Sequence, residues 1–199
     1  MRPYGERVAR ICEHLAVLAG WGLLAVALLI TVEVFGRKYF QFSIQGADEL
    51  GGYVLAFTSA IGFSYALVLR SHIRIDLLLP RLPQAVQAVL NVLAFALLTL
   101  YAGGLAWRSV VVAMESWTMR ADAPTSLGTP LVAPQAVWAL ALLMLAFLSG
   151  FALIKGVVAL AEGRRREVAV DYGPSSVLDE LQSELDDVRR RGADGVREP

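Results

Sequence analysis

Cysteine, histidine and charge in the long apolar runs are what this 199-residue chain has least of. A single cysteine, Cys12, excludes an intramolecular disulfide framework. The two histidines, His14 and His72, do not make the cluster of titratable groups that a catalytic or metal site needs. HExxH, GxSxG and a phosphate-cradling glycine loop are all missing. Eighteen basic residues cancel eighteen acidic ones, and the lack of a basic excess argues against a nucleic-acid partner. Charged residues make up 18% of the chain, below the ~25% of an ordinary soluble domain.

What is present instead is hydrocarbon, gathered in four places. Leu15 to Val32 carries no charge, and Glu33 is the only charge before Arg37. Leu50 to Leu69, Leu82 to Trp107 and Ala123 to Ile154 are also uncharged, the apolar part of the last beginning near Leu131. About 20 apolar residues at 1.5 Å each cover the ~30 Å core of a bilayer. A soluble core able to cover four such helices on every side exceeds what a chain of this length supplies. The first stretch is longer than a signal h-region and lacks a small-x-small cleavage site, so it reads as an uncleaved anchor. The expected fold is an all-α integral membrane protein with spans near 14–36, 50–69, 84–108 and 132–158. A short segment, 1–12, precedes the membrane domain of 13–162, and a tail, 163–199, follows it.

Basic residues set the orientation. Arg2, Arg7, Arg10, Arg70, Arg74, Arg81, Lys155, Arg164, Arg165 and Arg166 fall on one side. Arg37, Lys38, Arg108 and Arg120 fall in the first and third connections on the other, so both termini are expected in the cytoplasm. Tyr39, Phe40 and Phe42 suit an interfacial aromatic belt, as do Trp117 and Trp138. Ser109 to Trp117 can continue the third helix past the headgroups, with Val110, Val111 and Met114 on one face, before three prolines and a glycine in DAPTSLGTPLVAP end it. In the tail, Ser176 with Asp179 begins an expected short amphipathic helix over 176–191, with Val177, Leu181, Leu185 and Val188 as its stripe.

Few residues stand out functionally. Glu33 lies inside an apolar run, one turn before Arg37, at the spacing of a local ion pair; a subunit contact and a proton-coupling role are the alternatives. Gly52, Ala56 and Ala60 recur every fourth residue, with Gly62 on a neighbouring face, a texture that lets helices approach closely. Packing within the four-helix unit and docking against a partner both fit it. No span holds a proline or an ionisable group near its expected centre. The chain reads as a scaffold, with no cofactor of its own.

The run from Val34 to Pro83 resembles the small membrane subunit of TRAP transporters, the tripartite ATP-independent periplasmic transporters. The likeness rests on Arg37, Tyr39 and Phe40 closing the first helix, Asp48, Glu49 and Leu50 opening the second, Gly62 and Phe63 within it, and His72, Ile73, Ile75 and Asp76 after it. Ser126, Leu127, Gly128, Pro130 and Pro134 continue it, and the resemblance covers roughly residues 10 to 162.

It implies a sodium-coupled, binding-protein-dependent transporter for organic acids or similar solutes in a bacterial or archaeal inner membrane. In such systems the sodium and substrate sites belong to a large membrane subunit with an elevator motion, which the small subunit supports, and a periplasmic substrate-binding protein delivers the solute. By that implication Arg37, Lys38, Asp48, Glu49, Arg120 and Asp122 face the periplasm, and His72, Arg74 and Asp76 organise the cytoplasmic turn. The competing reading is a self-contained protein: a homo-oligomeric carrier using Glu33, or a redox anchor using His14 and His72.

Overall fold

The computed structural model describes residues 4–69, 82–125 and 127–164, together with Val168 and Leu185. Four helices account for most of them: α1 (Glu6–Phe40), α2 (Ala47–Leu69), α3 (Gln84–Met119) and α4 (Val132–Ala161). All four are long and apolar enough to cross a membrane. His72, Asp76 and the amphipathic helix expected over 176–191 (apart from the lone residue Leu185) lie outside the described residues.

Three of the helices, α1, α3 and α4, end where the chain can accept a left-handed residue. Gln41 (φ 51°) closes α1, and the Phe42 amide donates to the Gly36 carbonyl at 3.2 Å. Arg120 (φ 49°) closes α3, with Ala121 N–H on the Ser116 carbonyl at 3.0 Å. After α4, Gly163 takes φ 76° and the Arg164 amide reaches the Ala159 carbonyl at 2.9 Å. These bonds satisfy carbonyls that a helix end otherwise leaves open. Pro83, φ −56°, starts α3, where the missing N–H costs nothing.

The four helices form a row: α1 packs on α2, α2 on α4, and α4 on α3. The connections Gln41–Gly46 and Arg120–Leu131 lie at one end, called here the loop end, and Gly5 and Glu162 lie at the other, the terminal end. Small residues line the seams. Ala60, Ala102, Ala106, Ala139, Ala141, Ala152 and Ala159 are buried. So are Ser64, Ser109 and Ser149, each returning its hydroxyl to a carbonyl of its own helix. In lipid, where apolar contact with tails is as good as with Leu, such residues drive association by letting backbones pack closely. One buried cluster joins Ala19, Ala60, Ile61, Ala106, Ala141 and Leu142. A second, towards the terminal end, joins Cys12, Leu67, Val68, Ala88, Phe95, Leu145, Leu148, Ala152 and Ala159. Tyr4 ties down the start of the chain by donating its hydroxyl to the Leu148 carbonyl at 3.0 Å.

Two expectations shift in the structure. The third helix does continue past its uncharged run, as the stretch Ser109 to Trp117 allowed, and reaches Met119; Arg108, counted with the third connection, therefore sits within the helix. The glycine that faces α1 is Gly51, whose missing Cβ would lie 3.0 Å from Ile30 Cδ1. Gly52 and Gly62 have nothing within 4 Å of a Cβ. A four-residue repeat advances about 40° per step around a helix of 3.6 residues per turn, so Gly52 and Ala56 point outward while Ala60 is buried.

Candidate functional site

Of the polar residues singled out in the sequence, Glu33, Arg37, Asp48, Glu49, Arg120 and Asp122 lie towards the loop end. Glu33 is buried within α1, its side chain 3% exposed, and Arg37 one turn later, 61% exposed, pairs with it. Ser43, in the connection, donates to the same Glu33 oxygen at 3.3 Å. The carboxylate thus fastens the first connection back onto α1, and the Arg37 guanidinium keeps most of its hydration.

A second carboxylate does similar work between elements. Asp48 and Glu49 occupy the first turn of α2, where the positive end of the helix dipole favours them. Asp48 is exposed, whereas Glu49 accepts from the Tyr53 hydroxyl at 2.6 Å and from the Thr125 hydroxyl. Thr125 belongs to the connection after α3, so Glu49 holds that connection against the start of α2. The connection is itself folded: Asp122 and Pro130 form an antiparallel bridge, Ala123 N–H donates to the Thr129 carbonyl at 2.9 Å, and Leu131 N–H donates to the Ala121 carbonyl at 3.0 Å. Leu127 lies over Gly46, whose φ of 87° and lack of a side chain make the contact possible, since a Cβ there would overlap the leucine.

Three depressions surround this platform. A cleft of about 520 Å³ is lined by Ser116, Trp117, Arg120, Ala121, Asp122, Pro130 and Val132. An apolar groove between α1 and α2, about 280 Å³, has Asp48 in its lining. A smaller one between α2 and α4, about 130 Å³, is lined by Tyr53, Ala56 and Trp138 among others. Together these give a rim of charges over apolar grooves, the kind of surface that meets another protein.

The structure therefore brings Glu33 with Arg37, and places Asp48, Glu49, Arg120 and Asp122 at the same end. Gly52, Ala56 and Gly62 are exposed along α2 and Ala60 is buried. His14 is exposed near the opposite end, its Nδ1 on the Arg10 carbonyl at 2.9 Å. Sequence reasoning missed Ser43, Tyr53 and Thr125. Tyr53 could have been found from its i,i+4 spacing to Glu49; Thr125, 76 residues away, carried no local signal.

Residues 26–159 match the family model described as the DctQ component of tripartite ATP-independent periplasmic transporters. The searches of curated proteins and of solved structures give no significant match.

Proposed function

Because the chain belongs to the DctQ family, the small permease component of tripartite ATP-independent periplasmic transporters, we propose that it is the fixed scaffold on which a large membrane subunit moves sodium and an organic acid or similar solute. The observation that carries this reading is the open row α1–α2–α4–α3. Each helix in the row leaves much of its apolar surface uncovered, down to 6% buried in the α1 window. A row of that breadth resists tilting in lipid and offers a partner long faces. The substrate chemistry belongs to the large subunit.

On this reading the protein sits in a bacterial or archaeal inner membrane with both termini cytoplasmic. Moving Arg108 from a connection into a helix leaves three basic residues, Arg37, Lys38 and Arg120, in the first and third connections, which sharpens the basic asymmetry behind that orientation. The loop end then faces the periplasm, with Asp48, Arg120 and Asp122 available to the substrate-binding protein. Glu33 is bound up locally and has no part in transport.

The test is purification from native membranes in mild detergent through a carboxyl-terminal tag, followed by reconstitution. A stoichiometric large polytopic partner, and uptake that needs a sodium gradient, the binding protein and both membrane subunits, is the expected result. A chain that comes out alone, or only with copies of itself, sinks the proposal.

A further inference from the structure

Two of the four helices, α2 and α4, agree on where the apolar slab lies, and α3 is out of step with them. Ala60 falls in the middle of the uncharged run of α2, Leu50 to Leu69, and Ala141 and Leu142 fall near the middle of the uncharged helical run of α4, Val132 to Ile154. Those residues form one buried cluster with Ala106, and Leu105 packs against it. Packing fixes depth, so Leu105 and Ala106 lie level with the middles of α2 and α4. The same register holds lower down, where a Cβ on Gly150 would lie 3.7 Å from Thr99 Cγ2 and Ala88 shares a cluster with Ala159. Arg108 follows Ala106 by two residues, a rise of about 3 Å. A permanently charged side chain thus leaves α3 near mid-depth.

Among the described residues nothing receives it. Arg108 is exposed, and among the described residues it makes no hydrogen bond or ion pair. α3 is the end helix of the row, with α4 as its neighbour. Leu97, Tyr101, Gly104 and Arg108 follow the i, i+4, i+7, i+11 spacing of one outward face. A guanidinium cannot shed its proton, and a cation at mid-depth against lipid is costly. The usual remedies are a partner or a facing protein surface. Gly104, one turn from Arg108, would meet nothing within 4 Å with a Cβ, which leaves room for a facing helix to come close.

We infer that the Arg108 face of α3 docks on the large membrane subunit, and that a carboxylate at mid-depth on that subunit receives the guanidinium. The inference rests on the transporter-subunit reading above and names the face it uses. A second copy of this chain is a poor source of the carboxylate. A symmetric pair about an axis along the membrane normal keeps each residue at its own depth and sets Arg108 against its equal. Glu33, Asp48 and Glu115 all lie towards the loop end. Glu13, on α1, follows Cys12, which clusters with Leu67 and Leu148; these lie two turns, about 10 Å, from Ala60 and Ala141 along their helices.

The experiment co-expresses this chain with the large subunit, tags the large subunit, and purifies in mild detergent. Wild type co-purifies; if it does not, the subunit reading fails and takes this inference with it. Arg108→Leu is expected to reach the membrane at the wild-type level yet co-purify roughly tenfold less, while Arg108→Lys retains most of the association. Arg108→Leu co-purifying like wild type overturns the inference. A photo-crosslinking amino acid at Tyr101, with Arg108 intact, gives an independent readout. It should form an adduct with the large subunit, and the same probe at Leu28 on the opposite edge helix should not. An adduct from Leu28 alone, or a Tyr101 adduct only with a second copy that Glu13→Gln abolishes, places the docking face elsewhere.

Discussion

Glu33 and Arg108 are both charges inside apolar helices, and both helices stand at the ends of the row, yet the two residues are opposite in every physical respect. Glu33 is buried near the loop end of α1, and two partners come to it: Arg37 from the next turn and Ser43 from the connection. Arg108 is exposed near mid-depth on α3 and has no partner among the described residues. A charge close to an interface can be neutralised by local chain at small cost, because its partner keeps its own hydration. Arg108 has no such partner on its own helix, where the nearest carboxylate, Glu115, is seven residues or about 10 Å away along the axis. The first is a feature of folding; the second, on the proposal above, is one of assembly.

The comparison is sharpest in the pair of neutralising substitutions. Arg108→Leu should weaken association with the large subunit roughly tenfold, about 1.4 kcal/mol, since the facing carboxylate is left buried and unpaired, and uptake in reconstituted vesicles should collapse. Glu33→Gln should leave association and uptake unchanged, because an amide still accepts from Arg37 and Ser43. The opposite outcomes in vesicle uptake would break the contrast.

Between these extremes lie the platform residues. Gly46→Ala combines an unfavourable φ of 87° with overlap against Leu127, so a loss of roughly 1–3 kcal/mol is expected in thermal unfolding of the detergent-solubilised protein. Glu49→Gln or Thr125→Ala weakens the tie between α2 and the connection after α3, by about 1 kcal/mol or less. Faster amide exchange confined to residues 121–131 would report it. The smallest equilibrium effect is expected for Asp48→Lys, an exposed rim charge. Binding-protein association should slow and lose salt dependence with little change in complex stability; unchanged uptake kinetics would take Asp48 off the docking surface.

Much of this was legible residue by residue. Uncharged runs gave four helices, and Glu33 with Arg37 read correctly as an i,i+4 pair because both partners lie on one helix. The small-residue texture of α2 was visible too, but not which glycine faces α1. Gly51 and Gly52 differ by a 100° rotation that only the position of Ile30 resolves. Glu49 looked like a helix-start charge; its bond to Thr125 joins chain segments that no periodicity relates. The setting of Arg108 depends on the neighbouring helices. The residue ends an uncharged run of α3, and hydropathy places such a residue at an interface.

By itself the sequence determined the number of helices, their apolar character and the family, since each depends on composition and order along the chain. The tertiary structure decided the order α1–α2–α4–α3 and the register between neighbours. Depth in a membrane is a property shared between helices, because close-packed small residues lock one helix against the next. It is that packing, through Ala60, Ala106 and Ala141, that sets Arg108 two residues from the level of the middles of α2 and α4.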